Sequence, residues 1–385
     1  MTKKISLIAL PLLLFALVGC AGRIATPEAW SGGVADEEAL YIGTREGDFR
    51  ALSIRDGSTL RRFELGGEDN RDLLGVYGVP VLHDGSLYFG GYHGVLYSLT
   101  TPGLDTKWSE PLFKDESKEE HTQIVGGPTL IGDVVLVGAD NGKVYAFDQE
   151  VDDQGRWSVS PRWTYQTGNK VWSSPIGIDG VVYVTSLDKN LYALSLEDGS
   201  KLWQYSTNGA IAATPAYDTG TVYFGSFDGV FYAVNASDGT LRWKFNGAGS
   251  WYWGGPLVHG DTVYAPSLDG KLYALDKRTG DLRWSLTTEG PIVGSPTVIF
   301  DMIAVGSDDG SLHIVRISDG NPVDSCNMRT EIRSMLAVQE DVIFFSGKDK
   351  TIRALRIKTN GNPDEEWVHK PDEDDPVLRG RVEDC

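Results

Sequence analysis

A phrase of about thirteen residues recurs eight times along this chain of 385 residues. The copies begin at Leu40, Leu87, Val135, Val182, Val222, Val263, Ile303 and Ile343. Each joins two short apolar runs through a turn, as in "VYFGSFDGVFYAV" and "VYAPSLDGKLYAL". The steps are about 47 residues at first and about 40 thereafter. No chain can repeat one strand–turn–strand phrase this often and fold around a single ordinary core. Alternating apolar runs bounded by turn residues predict strands, and no long stretch has a helical apolar period. A period near 40 with several strands per copy predicts an all-β fold, an eight-bladed β-propeller of four-stranded antiparallel blades.

Each part of the copy has a physical task. Asp228–Gly229, Asp269–Gly270 and Asn141–Gly142 supply the positive φ that tight hairpin turns demand. A second turn at Asp198–Gly199, Asp238–Gly239 or Thr279–Gly280 precedes a closing aromatic. That aromatic is Trp203, Trp243 or Trp284, with Trp163 and Trp108 in looser copies and Phe63 in the first. "LYALDKRTGDLRW" resembles the repeat of the PQQ-like (pyrroloquinoline-quinone-type) eight-bladed propellers, over about residues 30 to 368. The resemblance implies that Trp163, Trp203, Trp243 and Trp284 dock between blades. Burying an indole removes ~150–250 Å² from water, about 4–6 kcal/mol as an upper bound at ~25 cal/mol/Å². These four are read as structural. Three stretches fall outside the repeat and read as loops: residues 66–74, 113–123 and 149–161.

The amino terminus reads as an export signal. Lys3 and Lys4 precede the apolar run "ISLIALPLLLFALV", which is short for a membrane span. The run ends in "LVGC", which resembles the lipobox of bacterial lipoproteins, with Cys20 as the lipidated residue. The competing reading is a plain secretory signal. The expected organisation is a signal at 1–19, a lipidated linker at 20–29, the propeller at 30–369 and an acidic tail at 370–385. Ala21 after the cysteine favours the outer membrane, facing the periplasm, in a cell with two membranes; otherwise the outer face of the cell membrane is expected. Exported chains form disulfides. Cys326 and Cys385 are then either a pair or two separate thiols.

The net charge of -19 argues against nucleic acid, whose phosphates need a basic footprint. Six histidines are scattered without metal-ligand spacing, and no nucleophile elbow or phosphate-cradling loop occurs. The quinone dehydrogenases that share the repeat use adjacent disulfide-bonded cysteines, which this chain lacks. The chain therefore reads as no enzyme, with no catalytic residues, no metal and no cofactor.

Proline opens the innermost strand at Pro80, Pro128, Pro175, Pro215, Pro256 and Pro296, with Gly33 and Leu336 in the outer copies. Three residues earlier stand Trp30, Tyr77, Val125, Trp172, Ala212, Trp253, Val293 and Arg333. Innermost strands line a propeller's channel, so this position belongs at its mouth. The candidate binding residues are Trp30, Tyr77, Lys170, Trp172, Trp251, Tyr252, Trp253 and Arg333. The alternative is that these aromatics plug the channel. Lipobox and eight PQQ-like blades together resemble the outer-membrane assembly factor BamB family. That resemblance implies a monomeric, lipid-anchored scaffold whose partners are envelope or outer-membrane proteins, such as the β-barrel assembly machinery. The rival is a propeller that binds a quinone, sugar or peptide.

Overall fold

The computed structural model describes residues 31–44, 47–66, 75–112, 122–371 and 377–378. Eight antiparallel sheets follow one another along the chain, at residues 34–64, 81–111, 129–166, 176–206, 216–245, 257–287, 297–327 and 337–369. We number them blades 1 to 8. In each blade the four strands run in chain order from the innermost to the outermost. Blade 8 carries a fifth, the two-residue strand Val377–Leu378, paired to Val368 and Trp367.

The core is divided among the junctions. Eight apolar clusters each draw residues from two adjacent blades. The two central strands of a blade are covered on both faces, which explains their near-continuous apolar runs. "VYAPS" and "LYAL" are buried throughout.

Indoles lock successive blades. Nε1 of Trp163 donates to Leu196 O at 2.9 Å, Trp203 to Ala236 O at 3.0 Å and Trp243 to Lys277 O at 3.1 Å. Trp284 donates to Ile317 O at 3.1 Å. Each ring lies on the glycine of the next blade's turn, where a Cβ on Gly280 would meet Trp243 at 2.6 Å. Gly280 also has φ +79, so both space and backbone demand glycine there. Trp367 repeats this arrangement from blade 8 to blade 1, donating to Ile54 O at 3.0 Å against Gly57.

Phe63 does not occupy the indole position. In the register shared by the blades, Ala51 pairs with Arg61, as Ala193 pairs with Trp203. Phe63 lies two residues on, where it meets Tyr97 edge-on at 5.4 Å. The junction of blades 1 and 2 is instead filled by that ring together with Phe49 stacked on Phe89 at 4.3 Å. The stretch 149–161 is not a plain loop either. Strands Lys143–Val151 and Trp157–Gln166 extend the third blade's outer hairpin through most of it. Residues 67–74 and 113–121 lie outside the described residues.

The turn aspartates also tie blades together. Asp188, Asp228 and Asp269 accept the hydroxyl of Tyr192, Tyr232 and Tyr273 at 2.6, 2.8 and 2.7 Å. Each also accepts a backbone N–H from the preceding blade's exit, at Gly168, Asn208 and Gly249. Burial, and then these carboxylates, push the three phenols above their usual range.

Among the described residues no sheet mixes strands from the two ends of the chain, and side chains tie blade 8 to blade 1. Arg50 is buried at the blade 8–blade 1 junction. It pairs with Asp48 at 3.0 Å and donates to His369 Nε2 at 3.1 Å and Pro371 O at 2.7 Å. Arg62 adds a second bridge to Asp48 at 2.6 Å. Buried charges persist only when paired in this way.

Candidate channel-mouth binding site

Before each innermost strand the chain runs extended across the top of the ring, and side chains alternate between two destinations. Val76, Ile124, Val171, Ile211, Ile292 and Ile332 are wholly buried between blades. Their neighbours Tyr77, Val125, Trp172, Ala212, Val293 and Arg333 face the axis. The segment is pinned by the hairpin turns, as where Leu187 N donates to Lys170 O and Leu268 N to Trp251 O. Two residues before the proline position stand small residues such as Gly78, Ser173, Gly254 and Gly294. A Cβ on Gly294 would meet Ser334 O at 2.6 Å, so converging backbones leave no room for one at the hub.

Tyr252 follows the buried column, not the mouth. It occupies the position of Val171 and Ile292 and is 0% exposed, with its ring 5.4 Å from Phe231. Gly225 stands opposite it, as Gly138 stands opposite Val171 and Gly306 opposite Ile332, so the phenol enters a gap that several blades keep free of a facing side chain. Burial pushes the Tyr252 hydroxyl far above its usual range. Trp30 lies outside the described residues.

Tyr77, Trp172, Trp253 and Arg333 line an axial cavity of about 480 Å³. Its floor and walls are largely Gly126, Gly127, Gly254, Gly294, Ala213 and Pro256. Trp251 and Lys170 stand at the rim, 50% and 45% exposed. The rings form a ladder. Trp251 stacks on Phe227 at 4.8 Å and 11°, Phe227 on Trp253 at 5.5 Å and 19°, and Trp253 meets Trp172 at 6.0 Å and 47°. Tyr77 and Tyr92 form a second pair at 5.0 Å. Offset and tilted contacts of this kind contribute ~0.5–1.5 kcal/mol each beyond burial. The aromatics thus pack on one another without filling the axis.

The charges at the mouth are matched within the chain. Asp140 accepts from Trp172 Nε1 at 2.6 Å and from Lys170 Nζ at 2.7 Å. Lys170 also lies 5.8 Å from the Trp172 ring centroid, within cation–π range. Arg333 grips Asp308 through two bonds of 2.9 and 2.8 Å and pairs with Glu331 at 2.7 Å. Lys348 completes that group on Glu331 at 2.9 Å. An overall acidic chain therefore presents a locally neutral, apolar opening.

Sequence reasoning missed Phe227, Tyr92, Asp140 and Asp308. All four precede the hairpin turn in their copies, where blades 4 and 6 carry Leu187 and Leu268. The available signal was the variation at this repeat position, which carries Arg45, Tyr92, Asp140, Phe227, Asp308 and Lys348 besides the two leucines. Among the described residues, no three His, Cys, Asp or Glu side chains group as a metal site. Cys326 is buried and disulfide-bonded; Cys20 and Cys385 both lie outside the described residues.

Ring, indole locks and repeat define a PQQ-like propeller. The solved BamB structure from Moraxella catarrhalis superposes with a TM-score of 0.68 at 19% identity, covering 86% of this chain and 94% of that one. The computationally designed Ika8 protein gives a TM-score of 0.71 at 17% identity, covering 86% and 96%. These likenesses concern the fold. The chain belongs to the family described as Outer membrane protein assembly factor BamB, whose sequence model matches residues 29–159, 117–246 and 206–380. Outer membrane protein assembly factor BamB of Yersinia pestis is 28% identical over 180 residues, 45% of this chain and 42% of that protein. Its counterpart from Moranella endobia is 27% identical over 191 residues, 47% and 45% of the two chains. The chain thus aligns with less than half the length of these curated relatives.

Proposed function

We propose that this chain is a lipid-anchored, non-enzymatic scaffold of the cell envelope that holds a component of outer-membrane protein assembly at its channel mouth. Residues 1–19 are the export signal, Cys20 carries the lipid, 20–29 tether the propeller, and 370–385 form the acidic tail. The anchor places the ring at the outer membrane, facing the periplasm. Family membership supports the assembly role, and the observation that carries the binding site is the aromatic ladder from Trp251 to Trp172. A half-exposed indole backed by stacked rings offers rigid apolar contact area, the usual character of an interface anchor.

Affinity capture from detergent-solubilised envelope tests this. The native chain is expected to return a β-barrel assembly component, and a Trp172→Ala/Trp253→Ala double variant to lose it while keeping a native circular dichroism spectrum and cooperative melt. Equal capture by both proteins would refute the site. Loss of folding in the double variant would assign these rings to packing that holds the propeller together and not to partner binding. The cavity supports a second reading. At about 480 Å³ it lies in the ~300–1,000 Å³ range of small-ligand sites. A tightly held quinone, sugar or peptide would raise the melting temperature in a thermal-shift screen, whereas a scaffold would not respond.

A further inference from the structure

The junction between blades 7 and 8 is built differently from its neighbours. At the indole position the outermost strand Pro322–Asn327 carries Asp324, paired with Ile314 as Trp284 is paired with Ala274. Gly361 has the turn position and positive φ of the indole-bearing glycines, but Val323 Cγ1 and Met302 Sδ approach it instead of a ring. The buried cluster of this junction includes a single aromatic residue, Phe345. Cys326 lies in that cluster, two residues beyond Asp324, 0% exposed and disulfide-bonded.

We infer that Cys326 is bonded to Cys385, and that this bond replaces the missing indole lock by stapling the C-terminal tail across blades 8 and 7. The chain has three cysteines, so the partner is Cys20 or Cys385. Under the function proposed above, the Cys20 sulfur is committed to a lipid thioether. From the other end the geometry is favourable. Val377–Leu378 pairs on the outer edge of blade 8, and Cys385 follows Leu378 by seven residues. Seven extended residues reach about 24 Å, against a separation of ~10 Å between packed sheets.

The bond forms when two thiols give up two protons and two electrons. A disulfide of an exported thiol-oxidising protein accepts the electrons and leaves as two thiols. Cys326 is enclosed, so the terminal Cys385 thiolate attacks the oxidant first, and Cys326 then displaces it from the mixed disulfide. The last blade junction is therefore completed only in an oxidising compartment. A chain retained in a reducing one keeps a weak seam between blades 7 and 8.

Protease digestion of the full chain, purified from membranes under thiol-blocking conditions, tests the pairing by mass spectrometry. A Cys326–Cys385 linked peptide is expected. A Cys20–Cys326 peptide would overturn both this inference and the lipid anchor, whereas blocked free thiols at Cys326 and Cys385 would overturn this inference alone. The role as a lock is read from Cys385→Ser, which leaves the core atom at 326 in place. A fall in melting temperature of about 5 °C is expected for closing so long a loop, with faster hydrogen exchange confined to blades 7 and 8. Reducing agent should reproduce the shift in the native chain and leave the variant unchanged. An unaltered melt and exchange pattern would show that the bond does not secure the junction.

Discussion

Replacing Trp243 with alanine removes one indole lock and leaves the rest of the ring in place. The side chain is 8% exposed and lies on Gly280, with Nε1 bonded to Lys277 O. Burial of an indole gives an upper bound of about 4–6 kcal/mol, and measured Trp→Ala costs in cores run ~3–5 kcal/mol. Because Gly280 has no side chain to collapse into the space, the cavity persists. The carbonyl of Lys277 is not orphaned, since the Tyr223 hydroxyl also donates to it at 3.0 Å. The loss is therefore one of packing, and we expect about 4 kcal/mol without the further ~1–3 kcal/mol of an unsatisfied acceptor. Equilibrium urea unfolding followed by far-ultraviolet circular dichroism gives the number, read from the midpoint at constant slope. Trp251→Ala is the control, because its ring is half exposed and gives up little more than a stacking contact, about 1 kcal/mol. If Trp243→Ala costs no more than the control, the indoles do not hold the blades together and the account of the core is wrong.

At the blade 8–blade 1 seam, Arg50→Met should cost about 3 kcal/mol, the low end for breaking a buried pair because Arg62 still neutralises Asp48; a loss under ~1 kcal/mol in urea unfolding would show that the seam closes without it. Arg283 holds the Asp276 carboxyl down to about 2 through its hydrogen bond, against an ordinary value of ~3.9. The stabilisation from this pair is complete above the ordinary value and is lost as pH falls through about 2. Arg283→Met should return Asp276 towards the ordinary value in an NMR titration and lower stability at neutral pH but not near pH 1; an unmoved titration would disprove the assignment.

The ring was legible because its determinants are local. Asp–Gly turns and closing tryptophans recur at fixed spacing, and a strand–turn–strand phrase of that period has few other ways to bury both faces. Errors arose where identity was read without register. Tyr252 was assigned to the mouth as a neighbour of Trp251 and Trp253, although its column holds valine or isoleucine in six other blades and its side chain alternates inward between half-exposed Trp251 and partly buried Trp253. Phe63 was assigned to the indole position because it is aromatic; the indole stands four residues after the turn glycine, as Trp203 does after Gly199, and that spacing from Gly57 gives Arg61. Phe227 and Tyr92 went unseen because the mouth is assembled from two segments of each repeat, about 15 residues apart, and only the segment before the innermost strand carries the proline that marks it. Trp367 was likewise obscured by a longer final turn that changes its spacing.

The most direct test of the account places a photo-activatable phenylalanine analogue at position 251 of the membrane-anchored chain, with position 202 as a control of equal exposure on the ring's outer wall. Irradiation of intact envelopes should crosslink position 251, and not position 202, to a component of the β-barrel assembly machinery. Crosslinks from the outer wall alone, or from neither position, would contradict the claim that the channel mouth is where this propeller holds its partner.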